Sequence, residues 1–297
     1  MSYNLVEIPC PVCGTSEKRI VYHDTLAGAP AEFGYDFTVR HKLTFQIVEC
    51  PHCTHRYASP RPDDIWQEYQ DIADNAYLSH EKDYVATFEK VIKVLKRFLP
   101  SGRLLDVGCS AGFFLSVAAH TYDAEGLELS HWAVDLAERK GLRVHKKRLE
   151  EFHPRTLYDM ITLWGVIEHL ENPDAQVKYI RDLLNRGGYV ALWTGDVSSL
   201  PSRLLGRRWW YYLGQHIQMF TEKSINELFS KNGFEPVYRG TYPYIVSLRS
   251  VNRSLARYPW LHKITKPIFC HPRLAHKSLT MKIPGEMFLI FKKADRD

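Results

Sequence analysis

The chain has 297 residues, 45% of them apolar and 25% charged, with a formal charge of +5. That length and apolar content suit one large α/β domain with attachments and a packed core, and exclude a disordered or low-complexity chain. No run approaches the ~20 apolar residues of a membrane span, residues 1–7 lack the basic and apolar regions of a signal peptide, and the mild basic excess is weak evidence for an anionic partner, so a cytoplasmic location is expected.

The first elements are two Cys-x2-Cys turns, Cys10 with Cys13 and Cys50 with Cys53, beside strands expected over 18–23 and 42–49. Each turn aims two thiolates at one point, and two turns complete a tetrahedron around one structural zinc ion with no position left for water. His52 and His55 read as surface residues flanking the ligands. Pro60 and Pro62 then give an extended linker. Residues 1–62 are therefore expected to be a zinc ribbon and linker, too small for a core without the metal, and 63–297 the second unit. Cys109 and Cys270 have no paired base and read as inert small residues.

A helix is expected over 84–99, where Val85, Phe88, Val91, Ile92 and Leu95 fall at helical spacing. Strands follow at 104–107, 125–129, 142–145, 160–164 and 189–194. Helices are expected between them: 113–122, one capped by Ser130, and one opened by Asn172 and Pro173. Thr221 caps a further helix, and a last strand covers 287–291. This alternation predicts an α/β fold with a doubly wound, Rossmann-like, mostly parallel sheet. Two stretches break the rhythm, about 197–218 and 242–282, and are expected to be lid insertions. In the first, Trp209, Trp210, Tyr211 and Tyr212 suit either an acceptor pocket or lid core. The second is basic: residues 249–297 hold eleven Lys or Arg against three Asp or Glu. Its apolar residues show no clean helical stripe, so a solvated lid is expected rather than a membrane-surface segment.

Asp106-Val-Gly108-Cys109-Ser110-Ala-Gly112 is a strand, a tight loop and a helix start. Gly112 is not followed by Lys and Ser/Thr, which excludes a typical P-loop, and the glycine spacing fits a nicotinamide site poorly. Glycines let the backbone approach a ligand closely, and the helix start presents free N–H groups. Glu128, twenty residues after Gly108, stands at the next strand tip, where an acid can take both ribose hydroxyls. Together these point to an adenosyl ligand.

On these residues the sequence resembles class I SAM-dependent methyltransferases. Asp106 to Gly112 is similar to their motif I and Glu128 to their second-strand acid. The segment from Tyr158 through Trp164, Gly165, Glu168 and His169 to Pro173 resembles their fourth-strand segment, and Gln215-His216 through Thr221 a later signature. The double knuckle is similar to bacterial small-molecule members with an N-terminal zinc ribbon. The resemblance implies S-adenosylmethionine (SAM) as cofactor, held by Asp106, Gly108, Cys109, Ser110, Gly112, Glu128, Leu129, Leu149, Trp164 and Gly165, with Tyr84 and Tyr77 closing over it. It implies His216 as general base or substrate binder and His169 as a second matched histidine, for which a structural place beside the cofactor is the favoured alternative; Glu168 is a weaker candidate. Two positions depart from the pattern: Ser110 stands where Gly is frequent, and Arg148 near a frequent acid, leaving the backbone at Leu149 or Glu150 for adenine. The activity implied is methyl transfer to a small or medium acceptor, such as a sugar or other biosynthetic intermediate. The rivals are an RNA methyltransferase gripping phosphates with the ribbon and basic C-terminal region, and a non-catalytic SAM-binding module. The mild charge disfavours nucleic acid, and nothing in the sequence indicates an oligomeric state.

Overall fold

The computed structural model describes residues 5–26, 43–248, 251–252, 259–271 and 278–294. The ribbon region holds five short strands: β1 (Leu5–Val6), β2 (Arg19–Tyr22), β3 (Ile47–Glu49), β4 (Arg56–Ala58) and β5 (Arg61–Pro62). Helices α1 (Asn75–Leu78) and α2 (Glu81–Leu95) lead into the main unit. There β6 (Arg103–Val107), α3 (Phe113–Ala118), β7 (Asp123–Glu128), α4 (His131–Arg139) and β8 (Val144–Lys146) form one half. The other half comprises β9 (Tyr158–Trp164), α5 (Pro173–Leu183), β10 (Leu184–Gly195), α6 (Leu200–Leu205), β11 (Gln218–Met219), α7 (Glu222–Lys231) and β12 (Phe234–Gly240). The chain ends with β13 (Tyr244–Ser247), α8 (Pro259–Phe269), β14 (Ser278–Met281) and β15 (Glu286–Lys293).

The central sheet has seven strands in the order β12-β15-β10-β9-β6-β7-β8. Strands β6 to β10 pair in parallel and β15 runs antiparallel to both its neighbours. The winding reverses between β6 and β9, so a crevice opens beyond their carboxyl ends, the usual ligand position in such sheets. Helix starts follow local rules: Ser130 accepts from the Ala133 N–H (3.1 Å) and Asn172 from the Ala175 N–H (3.2 Å), and Thr221 caps α7. Strand β12 escapes the sequence reading because Pro236 and alternating polar residues suit only an edge, which is where it lies.

The strand period of two divides the core between the sheet's faces. Leu104, Met160 and Ile290 pack under α2 and α3, whereas Leu105, Ile161 and Leu289 pack with α5 and α7. The second cluster continues into the ribbon through Val12, Val48, Tyr57 and three of the cysteines. On its other side the ribbon shares a third cluster, Ile47, Ala58, Trp209, Tyr211, Tyr212 and Met219, with the 197–218 stretch. β11 pairs with β4 and extends the ribbon sheet to β11-β4-β3-β2. That stretch is therefore no free flap: its aromatic residues are the ribbon's missing core. His55 is likewise not a surface residue. It is fully buried between Tyr57 and Phe220, and its Nε2 lies 2.9 Å from Gln218 Oε1. The docking of β11 covers it, and burial pulls its pKa down to about 4. Among the described residues, no helix is long and apolar enough to cross a membrane.

Candidate functional site

A cleft of about 540 Å³ opens at the carboxyl ends of β6, β7 and β9. The turn after β6 forms one wall. Gly108 has φ +71°, and a Cβ there would come within 2.6 Å of Val166. Ser110 also lies in the left-handed region, at φ +47°. Its N–H donates to Glu128 Oε2 (2.8 Å), which offsets part of the strain. Ser110→Gly should therefore raise stability by about 0.5–1 kcal/mol net of the glycine's greater unfolded-state entropy, read as a higher melting temperature.

Glu128 ends β7. Besides Ser110 it accepts from the N–H groups of Leu129 (2.7 Å) and Ser130 (2.8 Å). A carboxylate has about four lone-pair sites, so it retains acceptor capacity toward the cleft. Asp106 is buried and accepts from Thr162 Oγ1 at 2.7 Å. Burial pushes its carboxyl up to about 8. Among the described residues no cationic side chain pairs with it.

A second group of titratable side chains lies past β9. His216 Nδ1 lies 2.7 Å from the Tyr211 carbonyl and donates to it, which leaves Nε2 as the basic nitrogen. His169 Nδ1 lies 2.9 Å from the Gln215 carbonyl and 2.7 Å from the Tyr69 hydroxyl. The two rings meet edge to face at 4.9 Å. Burial draws the pKa of His169 down to about 4 and that of His216 well below the ordinary imidazole value, so both are neutral at pH 7. Glu168 accepts from Thr194 Oγ1 (3.1 Å), and burial raises its carboxyl to about 7. One ligating atom from each of these three residues can be drawn within 4.8 Å of the others.

The structure brings Asp106, Gly108, Cys109, Ser110, Glu128, Leu129, Leu149, Trp164, Gly165, Tyr84, His169 and His216 to this cleft. Gly112 stands behind it: a Cβ there would strike Leu142 at 2.4 Å, so its lack of a side chain serves packing. Tyr77 stacks on Phe113 and meets Tyr84 at the rim. Of the aromatic run, Trp209, Tyr211 and Tyr212 are core and Trp210 reaches the cleft. Arg148 stacks over Trp66 at 4.6 Å beside Leu149. Trp66 and Tyr69 were not anticipated; they lie in a short 3-10 turn (Ile65–Tyr69) with no periodicity to mark them.

The four cysteines converge elsewhere. Cys10 Sγ lies 3.4 Å from Cys53 Sγ, and Cys13 Sγ 3.5 Å from Cys50 Sγ. Those separations are far beyond a disulfide and close to the ~3.8 Å edge of a tetrahedron with ~2.3 Å zinc–sulfur bonds. The donor set fits a closed, four-thiolate site.

The fold and the cleft define an adenosyl-binding α/β protein. Residues 77–239, more than half of the chain, match the model of the family described as a methyltransferase domain, and the chain belongs to this family of class I SAM-dependent methyltransferases. It is 30% identical over 97 residues to the ubiquinone biosynthesis O-methyltransferase of Shewanella pealeana, covering 30% of this chain and 41% of that protein. It is 26% identical over 119 residues to an uncharacterized protein of Methanocaldococcus jannaschii, covering 39% and 56%. The chain thus spans about half the length of the curated relatives it matches. The solved SAM-dependent methyltransferase from Archaeoglobus fulgidus shares the fold, with a TM-score of 0.52 at 17% identity over 74% of this chain and 100% of that one. The cleft suits such a cofactor on its own chemistry. Among the described residues, Asp106 is a buried acid without a cation, and the Trp164 indole N–H is buried with no partner.

Proposed function

We propose that this protein transfers a methyl group from SAM to a small or medium acceptor, and that the four cysteines hold one structural zinc ion. The observation that carries the reading is the meeting, in one cleft, of the acids Asp106 and Glu128 with the neutral imidazoles of His169 and His216. Glu128 takes a ribose hydroxyl with its remaining acceptor site and Asp106 faces the cofactor's cationic end. Leu129 and Leu149 border the adenine, and Trp164, Gly165 and Tyr84 enclose the middle of the cofactor. When bound, SAM supplies an electrophilic methyl on a positively charged sulfur, so the chain mainly positions the acceptor for in-line attack. His216 Nε2 removes the proton from an acceptor hydroxyl. His169 holds the wall beside it, tied to Tyr69 and Gln215. Trp193, Trp210, Tyr242 and Tyr244 wall the acceptor side and favour an acceptor with an apolar or ring face.

Titration calorimetry with SAM tests the cofactor half. Glu128→Ala should weaken binding about 10- to 150-fold, since the one acceptor site left on the carboxylate can make a charge-assisted hydrogen bond worth ~1.5–3 kcal/mol. Glu128→Gln, which keeps the packing, should give an intermediate loss. Unchanged affinity in both would remove Glu128 from the site. Transfer of labelled methyl into small molecules of a cell extract, followed by mass spectrometry, then identifies the acceptor.

A further inference from the structure

Residues 236–285 form a fifty-residue stretch with nine Lys or Arg and no Asp or Glu. The described part of its insertion is the pair β13–β14 with helix α8 between them in the chain. The pair is rooted on the body of the protein: the Ile245 N–H donates to Thr87 Oγ1 (2.8 Å) and the Ser247 N–H to Asp83 Oδ1 (3.2 Å).

Helix α8 is inverted relative to a helix of a water-soluble surface. Trp260, Ile264 and Ile268 are 68%, 62% and 54% exposed. Spaced by four residues, they fall within about 80° of one another around the axis. The side turned inward carries the polar Thr265 and His262 beside the half-buried Phe269. Thr265 Oγ1 donates to Asn252 Oδ1 (3.0 Å), and His262 Nδ1 lies 3.1 Å from the Asn252 carbonyl; Asn252 itself is buried. Lys263 and Lys266 are exposed along one edge of the apolar stripe. On β14, Leu279 and Met281, two residues apart, are exposed as well. A soluble helix turns its apolar stripe to the core. This one turns it outward, so the stripe that the sequence did not reveal becomes visible once the helix is oriented.

We infer that α8 is a docking surface for an anionic lipid bilayer, with Trp260, Ile264 and Ile268 entering the interfacial layer and Lys263 and Lys266 meeting lipid phosphates. The charge and the apolar stripe each point to this occupant. An acid-free cationic segment is drawn to an anionic surface, and Trp with aliphatic neighbours gains by leaving water for the headgroup boundary. Nucleic acid shares the phosphate chemistry but offers nothing to two isoleucines at the centre of the face. A second copy of the chain would bring like charges together with no acid to offset them.

Flotation of the full chain with vesicles tests the surface. Vesicles of phosphatidylcholine mixed with phosphatidylglycerol, which carry the negative surface potential of an anionic leaflet, are compared with pure phosphatidylcholine. We expect binding to the anionic vesicles, weakened by salt. Trp260→Glu/Ile264→Glu should reduce it at least about tenfold, with an unchanged circular dichroism spectrum and melting temperature. Lys263→Gln/Lys266→Gln should lower it less and flatten the salt dependence. Absence of binding to anionic vesicles at low salt overturns the inference. So does binding that survives the double glutamate variant, RNA binding without vesicle binding, or a dimer that the same variant dissociates in the absence of lipid affinity.

Discussion

His216→Ala should lower kcat about 100- to 10,000-fold, the span of a general base, while SAM affinity stays within about threefold, too little to reach 1 kcal/mol. The expectation rests on how the ring is held. Its Nδ1 donates to the Tyr211 carbonyl, so the tautomer is fixed and the basic nitrogen is the one left over. Burial keeps the ring neutral, so no fraction is lost to the protonated form at pH 7. The carbonyl that orients it belongs to a fully buried tyrosine, whose hydroxyl is 2.6 Å from Thr194 Oγ1. A role in packing alone would appear as a lower melting temperature with kcat preserved in the stable fraction. The measurement is steady-state methyl transfer to the acceptor recovered from the extract screen, alongside calorimetry with SAM. Full kcat would rule out His216 as the base.

Metal removal should affect the whole fold. Cys10, Cys50 and Cys53 belong to the same buried cluster as Ile180 and Phe229, so an emptied site opens a hole in the main core. Purified protein should carry about one zinc per chain. Cys50→Ser, or a strong chelator, should lower the melting temperature by roughly 6 °C, corresponding to ~4 kcal/mol in a chain of 297 residues. A metal-free chain that melts at the same temperature would sink the zinc assignment.

Most of the main sheet was legible because its strands are short, largely apolar runs bounded by glycines and helix caps; β12, a polar edge strand with Pro236, was not. The loop from Asp106 to Gly112 and the acid at Glu128 were legible for a different reason: a close backbone turn and a strand-tip acid each demand particular residue types. Periodicity could not show which surfaces meet. Trp209, Tyr211 and Tyr212 read equally as pocket or core until the ribbon was seen lying on them. His55 read as exposed because its cover, β11, comes more than 160 residues later. Gly112 belongs to the motif, yet it stands behind the cleft, where a φ of +77° and the closeness of Leu142 and Ala137 call for glycine. The stripe on α8 was missed because a three-residue pattern is short, and its inversion is defined only by what lies underneath.

The joining of β11 to β4 has a consequence for control of the reaction. His216 stands two residues before β11, and the intervening Ile217 carbonyl accepts from the Ala58 N–H at 3.0 Å. The ribbon thus acts as a splint on the segment that carries the proposed base. The proposed four-thiolate zinc site has no open coordination position and would take no part in bond making, yet through this splint it would set the reach of His216 into the cleft. Partial loss of metal should therefore register first as a slower chemical step at constant SAM affinity, before any change in helix content.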